Sequence, residues 1–600
     1  MRRAHFLKGN ATCESVQHAI WFDTETDLHK VAHEKMEHWL RFGWACYRRR
    51  LSDDKWSEPE WFRFNTIAQF WDWVLNHTRE KTKLYMFCHN TSFDLPVLNT
   101  FKVMYDAGYK LKVAIIDSPP TILRYRSGKR SVSILDTLNI WRMPLAKLGE
   151  HVGIAKLDMP AENDPQEAWD AYGKRDVEVI MHACLSWWDW LRKNDMGGFS
   201  CTLASQAMRV YRHKYMTHPI MIDDSQQAID LARQAFHGGR CECFRIGTFE
   251  GEFYLLDVNS MYPFVMATCA MPTKLQSVSR RITVGDLTDL VKRFAVVAHV
   301  QVETSDAFAA VYHNGKLIFP IGRFECYLTT PDIVYALERG YIKTIREAAF
   351  YEPAVCFSNF VEELYNHRLR SEANGDKVQS WQFKILMNSF YGKFGQRGNI
   401  WTTCGTADIN VIDREIVIDY ETRHFTVYRT FGGIIQRLAK DGESQDSHPA
   451  IAAHITAYAR HHLFKLIQRA ELQECLYADT DSLLVTRKGY ERLVECVNDN
   501  QLGKLKVQGT YSRVKLYGCK DYAFDNIVKT KGIRKSAVQT GVNEFRQERW
   551  SSLRGLIREG NLDAPITTRV YKRLIRVYDK GSVGADGFVS PFHLPPAECV

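Results

Sequence analysis

Acids at the ends of apolar, β-prone runs constrain this chain more than any other feature. Residues 253–258 run through Leu255 and Leu256 into Asp257 and then into the turn Asn259-Ser260-Met261-Tyr262-Pro263. Residues 472–477 and 483–485 are apolar on either side of Ala478-Asp479-Thr480-Asp481-Ser482, which reads as a hairpin with two acids at its tip. A carboxylate at the end of a buried strand is costly unless it is paired or holds a metal. Like charges this close repel, and a divalent cation relieves the repulsion. The alternative is a polar turn in which Asp481 caps the backbone. The flanking apolar runs weigh against it, because they place the hairpin inside the protein.

Between these acids lies Lys384-Ile385-Leu386-Met387-Asn388-Ser389-Phe390-Tyr391-Gly392. In a helix Lys384, Asn388 and Tyr391 form one stripe. A lysine there meets a triphosphate as a point charge, and a tyrosine stacks on a base pair. The alternative is an amphipathic helix with its polar stripe in water.

A second group of acids lies near the N-terminus. Asp23 and Glu25 in Trp21-Phe22-Asp23-Thr24-Glu25-Thr26 face the same way on a strand. His89-Asn90-Thr91-Ser92-Phe93-Asp94 follows a short apolar strand, and Tyr172 and Asp176 share a helix face. Four carboxylates of this kind suit two hard divalent cations. Such a pair activates water and stabilises the leaving oxygen in phosphodiester hydrolysis. Each piece alone also reads as a solvated strand or helix face. The three together, in one domain-sized region, carry the functional reading.

Composition bounds the rest. At 600 residues, 45% hydrophobic and 25% charged, the chain has material for two to four domains and is not wholly disordered. Helical patterns at 380–390 and 454–468 alternate irregularly with strands, so the fold class is multidomain α+β. No apolar run is long enough to cross a bilayer, and the N-terminus lacks a secretory apolar stretch. That terminus reads as a ragged leader, with organelle targeting as the alternative. The 15 cysteines are scattered, with Cys241/Cys243 the only close pair and no CxxC, which points to reduced thiols in a cytosol-like compartment. The net charge of +9 sits wholly in residues 501–600, which hold 18 basic and 9 acidic side chains.

Taken together, these motifs resemble those of the family B DNA polymerases. Asp-x-Glu, Asn-x2-Phe-Asp and Tyr-x3-Asp resemble the three motifs of the family's 3′–5′ exonuclease. Asp-x2-Ser-Met-Tyr-Pro, Lys-x3-Asn-Ser-x-Tyr-Gly and Tyr-x-Asp-Thr-Asp-Ser resemble polymerase motifs A, B and C. All stand in the family's order. Ala235-Phe236-His237-Gly238-Gly239-Arg240 is similar to the Tyr-x-Gly-Gly linker of the protein-primed branch, with Phe for Tyr and its hydroxyl lost. The double glycine lets backbone approach a DNA phosphate. Thr137-Leu138-Asn139-Ile140-Trp141 resembles that branch's exonuclease motif, and Lys520-Asp521-Tyr522 its Lys-x-Tyr motif. Lys515 and Tyr517 have the same spacing.

The resemblance implies a ribonuclease H-like 3′–5′ exonuclease domain over residues 1–190 and a linker over 191–250. A right-hand polymerase domain follows, with palm and fingers over 251–525 and thumb over 526–600. Residues 264–357 would contain a first insertion and 358–395 the fingers. Residues 396–447 would contain a second insertion, with a hairpin made from 415–420 and 425–431. Two Mg2+ (or Mn2+) per active site are implied. Asp257, Asp479 and the Val258 carbonyl would be ligands in the palm, with Asp481 a supporting acid. Asp23, Glu25, Asp94 and Asp176 would be ligands in the exonuclease, with Tyr172 orienting water and Lys156 assisting.

Tyr262 would gate the sugar. Lys384 and Arg368 would grip the triphosphate, and Asn388 and Tyr391 would line the nascent pair. DNA contacts would come from His89, Asn90, Phe93, Thr137, Leu138, Gly238, Gly239, Lys520 and Tyr522. In the thumb they would come from Lys529, Lys531, Arg534, Lys535, Lys572, Arg573 and Arg576. The implied partners are primer-template DNA, dNTPs and a terminal protein, for a monomer in the host cytoplasm encoded by a virus or plasmid; a mitochondrial plasmid is the alternative origin. Competing readings are an RNA-primed or primer-independent relative, a decayed DNA-binding protein, and a nuclease whose C-terminal half only grips DNA.

Overall fold

The computed structural model describes residues 2–52, 55–117, 119–398, 401–421, 423, 425–438 and 442–595. The two acid-tipped runs become neighbours in one seven-stranded sheet. Its order is Cys241–Cys243, Cys475–Asp479, Ser482–Thr486, Gly247–Val258, Leu505–Gly518, Asp521–Phe524 and Ile527–Lys529. Asp257 pairs with Ser482 across the central strands. Leu256, Leu483, Val485 and Ala478 are buried there, so apolar side chains anchor the strands and leave the acids at one end. The expected hairpin is present, but residues 472–474 form a 3-10 turn before it.

The N-terminal region, expected as the exonuclease, is a mixed sheet with helix Gln166–Lys193 against it. Strand His18–Ala32 carries Asp23 and Glu25, and it pairs with both Lys35–Ser52 and Lys83–Cys88. Trp21, Trp187 and Trp188 pack into a core that continues through Phe357 and Phe390 to Leu463 of the palm helix Pro449–Ala470. The two halves therefore share one apolar core.

Residues 191–250, expected as a linker, are structural. Helices Leu203–Val210 and Gln226–Ala235 pack into the body, and buried Tyr211 meets Phe357 and Phe390. The first insertion forms a sheet of Met271–Ser279, Ile342–Ala354, Ala295–Thr304 and Ile321–Thr329. The second forms a four-stranded sheet in which Asp413–Ile418 pairs with Phe425–Phe431, so the expected hairpin is part of something larger.

The expected thumb, 526–600, divides. Ile527–Lys529 closes the palm sheet, and strands Val538–Gly541, Glu544–Trp550 and Ile566–Arg573 extend the exonuclease sheet by pairing with Lys35–Ser52. Beyond them the chain returns to the palm. The Tyr578 hydroxyl accepts from the Cys243 amide at 3.0 Å, and His593–Leu594 joins the first insertion's sheet. Residues 596–600 lie outside the described residues. The described cysteines are free thiols. Among the described residues no helix is long and apolar enough to cross a membrane.

Candidate active sites

In the palm, Asp257 is pushed up to about 6 by burial first and then by the charge of Asp481, with Lys384 opposing. Asp481 is raised by burial and by Asp479. Asp479 sits differently. Burial raises it, but Lys520, with Tyr477 and Lys529, outweighs burial and holds it below the usual carboxylate range. Lys520 Nζ donates to both Asp479 oxygens at 2.7 Å, and the Tyr477 hydroxyl donates to Oδ2 at 3.1 Å. This sets the two acids of the hairpin apart. Asp479, expected as a ligand, is turned toward Lys520, while Asp481, expected as a support, acts on Asp257. Thr480 between them has φ of +67°, and a left-handed residue breaks the alternation that would put both acids on one face. The Val258 amide donates to the Asp481 carbonyl at 2.8 Å, stitching the first strand to this turn.

Tyr262 stacks on Tyr391, with ring centroids 4.5 Å apart. Lys384 and Asn388 are exposed on helix Lys377–Ser389. Arg368 Nη1 donates to Ser260 Oγ at 3.3 Å, at the turn after Asp257. Of the two Lys-x-Tyr candidates, Lys520 and Tyr522 adjoin the acids, the Tyr522 ring lying 5.6 Å from that of Tyr477. Lys515 instead lies over Tyr517, whose ring also carries Arg576 at 3.5 Å. Arg576, expected as a phosphate contact, pairs with Asp521 at 3.0 Å and donates to Asn543 Oδ1 at 2.9 Å, which ties those two segments together.

Of the two glycines, Gly239 is required by the packing of the protein itself. A Cβ on Gly239 would lie 2.7 Å from Thr480 Cγ2 and 3.1 Å from its Cα. Gly238 has open space around it, and buried Arg460 donates to the carbonyls of His237 and Gly238 at 3.0 Å each. Phe236, in the place of the hydroxyl-bearing residue, packs its ring where a side chain on Gly395 would stand.

In the exonuclease region one oxygen each of Asp23, Glu25 and Asp176 lies within 4.8 Å of the other two. Burial and the neighbouring acids raise Asp23 well above its ordinary value and push Glu25 to about 7. Asp94 stands beside this triplet; burial raises it to about 7, and it accepts from Thr24 Oγ1 at 2.7 Å. Lys156 Nζ pairs with Asp176 Oδ2 and sits 4.1 Å over the Tyr172 ring. Asp176 Oδ1 is buried with no hydrogen-bond partner. A buried, unpartnered carboxylate oxygen on an acid clustered with two more suits a divalent cation.

Two of the expected DNA contacts are tied to the protein itself. His89 bonds Thr137 Oγ1 at 2.8 Å and the Met143 carbonyl at 2.9 Å, and Thr137 is buried. Asn90 is exposed, and Phe93 and Leu138 are half-buried, so these remain at the surface. The sequence reading missed Asp136, which organises this corner. Its carboxylate accepts from the amides of Asn90, Thr91 and Leu138 at 2.9–3.0 Å. It carries the same signal as Asp257, an acid closing an apolar strand.

Comparison with known proteins adds the following. The family described as DNA polymerase type B, organellar and viral, matches residues 160–471. A probable DNA polymerase of Neurospora intermedia is 24% identical over 398 residues, covering 58% of this chain and 38% of that protein. The DNA-directed DNA polymerase of Enterobacteria phage PRD1 is 25% identical over 519 residues, 85% of this chain and 84% of the phage protein. The chain thus spans little more than a third of the fungal relative and most of the phage one. In fold it is similar to Phi29 DNA polymerase, solved in complex with primer-template DNA, with a TM-score of 0.65 at 15% identity over 93% of this chain and 100% of the other.

Proposed function

The chain belongs to the organellar and viral type B DNA polymerases, and on that premise we propose that it extends DNA primers on a template from dNTPs and proofreads with its own 3′–5′ exonuclease. The observation that carries this reading is the presence of two separate acid clusters, one on the palm sheet and one on the exonuclease sheet. Divalent cations, Mg2+ or Mn2+ and two per site, supply Lewis acidity at the attacking and leaving oxygens when bound. In the palm Asp257, Asp481 and the Val258 carbonyl would hold them. In the exonuclease Asp23, Glu25 and Asp176 would do so, with Asp94 alongside.

The chain's own groups do the positioning on which phosphoryl transfer depends. Lys384 and Arg368 bind the triphosphate as cations. Tyr262 forms a floor under the sugar, with Tyr391 behind it and Asn388 beside the base pair. Lys520 and Tyr522 orient the primer end. Lys529, Lys531, Arg534, Lys535, Lys572 and Arg573 hold duplex phosphates without reading sequence. Tyr172 holds the attacking water in the exonuclease, and Lys156 fixes Tyr172 and Asp176. Asn90, Phe93 and Leu138 receive the unpaired end.

We assign residues 1–190 to the exonuclease, 251–525 to palm and fingers, and 530–573 to the thumb. Initiation on a terminal protein with strand displacement is the accompanying proposal, supported by the two insertion sheets at 271–354 and 401–438. It fits a monomer encoded by a linear virus or plasmid and acting in the host cytoplasm.

The test uses purified protein, Mg2+ and a 5′-labelled primer on template. Added dNTPs should lengthen the primer, and their omission should shorten it; an unchanged primer in both arms refutes the reading. With a basic terminal protein and labelled dNTP, covalently labelled protein supports protein priming, and its absence refutes that part alone.

A further inference from the structure

Arg41 is aimed at the exonuclease site by a break in strand pairing. Strands His18–Ala32 and Lys35–Ser52 pair Glu25 with Phe42 and Thr26 with Leu40, which leaves Arg41 as an extra, bulged residue. A bulge bends its strand and re-aims the side chain it carries. Here the Arg41 guanidinium lies over the Trp169 indole, 4.6 Å from the ring centroid. Trp169 stands on helix Gln166–Lys193, one turn before Tyr172, and the two rings are 6.2 Å apart. Gly173 lets that helix close on the strands: a Cβ there would lie 3.8 Å from Glu25 Cγ and 3.3 Å from the Phe42 and Trp44 rings. The platform is therefore fixed at the edge of the three-acid cluster.

Two cations flank this edge, in different states. Lys156 is neutralised by Asp176. Arg41 is half-buried, and among the described residues it has neither a hydrogen bond nor an ion pair, while its charge reaches Glu25 and opposes that residue's upward shift. A guanidinium stacked on an indole keeps its N–H edge free in a fixed direction. A partly desolvated cation with free donors is satisfied by an anion from outside, and each linkage of a DNA strand carries one.

We propose that Arg41 is a phosphate clamp for the single-stranded 3′ end. Its N–H edge donates to the non-bridging oxygens of one phosphodiester, while Trp169 holds the guanidinium flat. The clamp rests on the exonuclease reading above. It binds substrate and takes no part in bond cleavage, so it acts on affinity and not on the chemical step.

The test is steady-state degradation of 5′-labelled single-stranded pentathymidylate with Mg2+. Arg41→Gln should raise KM about tenfold, the order of one charged hydrogen-bond contact, with kcat within about twofold. Arg41→Lys should recover part of the loss, because charge returns without the planar fork. The salt dependence of KM should fall by about 0.7 in log–log slope in Arg41→Gln, as for one lost single-strand phosphate contact. A neutral methylphosphonate, placed at one internal linkage at a time, should raise the unmodified enzyme's KM at one linkage and leave Arg41→Gln unmoved there. An unchanged KM in Arg41→Gln, a fall in kcat alone, or an unmodified enzyme indifferent to methylphosphonate at every internal linkage overturns the clamp. No degradation by the unmodified enzyme overturns the exonuclease reading itself, and the clamp with it.

Discussion

Lys520 Nζ lies 2.7 Å from both oxygens of Asp479, across 41 residues of sequence. The ammonium holds one acid of the hairpin and leaves the other, Asp481, to act on Asp257. Lys520→Met returns an uncompensated charge to the cleft and removes a cation beside the primer end. Primer extension should fall roughly 10- to 100-fold, the order expected for a charged hydrogen-bond pair, and Lys520→Arg should retain more. Steady-state extension at saturating dNTP measures this, and a Lys520→Met enzyme with full activity contradicts it.

Adjacent glycines should differ sharply. Gly239→Ala forces a Cβ to within 3.1 Å of the Thr480 main chain, whereas Gly238→Ala enters open space. The first should cost about 1–3 kcal/mol of stability and most primer extension, because Thr480 holds the acidic turn. The second should be close to neutral. Urea midpoints and extension rates of the two variants decide it, and equal behaviour counts against the packing role of Gly239.

Tyr262 is braced from behind by Tyr391 at 4.5 Å, so its ring cannot retreat from a bulkier sugar. Tyr262→Val should raise ribonucleotide use relative to deoxynucleotide use by roughly 10- to 100-fold, on the scale of one lost steric contact. Competition between labelled dNTP and rNTP reads the ratio directly. An unchanged ratio places the gate elsewhere.

Buried histidines should make the palm acid-sensitive. Burial holds His448 down to about 3 and His454 to about 4. Both are neutral in the fold, while the unfolded chain takes up protons below about pH 6.5. The unfolded state therefore binds more protons as pH falls, and stability is lost from about pH 6.5 downward. The slope is about 1.4 kcal/mol per pH unit for each ring well below that pH. Glu25 and Asp94, raised to about 7, and Asp257, raised to about 6, act in the opposite direction between pH 7 and pH 5, so the test compares the unmodified protein with His454→Gln. The urea midpoint should move less favourably on acidification in the unmodified protein than in His454→Gln, and the same change in both contradicts the role of this ring.

Local signals carried much of this structure. Apolar runs closed by acids predict the strands at Asp257 and Asp479, and periodicity predicts the helices bearing Lys384 and Tyr458. What escaped is non-local or conformational. The contact of Lys520 with Asp479 has no local signature, and neither does the pairing of Lys35–Glu37 with residues 566–568 that joins thumb to exonuclease. Which acid of the hairpin meets Asp257 depended on the left-handed φ of Thr480, whereas strand alternation alone would put both acids on the same face. Asp136 carried the right signal but lay outside the motifs. Arg41 became visible only once the bulge and Trp169 were in place.

The most direct test asks whether two chemistries reside in two acid clusters. A 5′-labelled primer annealed to template is followed with and without dNTPs for Asp481→Asn and for the Asp23→Asn, Glu25→Gln pair. Asp481→Asn should lose primer extension by about a thousandfold or more, on the scale of removing a catalytic charge-stabilising group, while still shortening the primer. The exonuclease pair should do the reverse. Extension that survives Asp481→Asn, or shortening that survives the loss of Asp23 and Glu25, contradicts the assignment of the two sites.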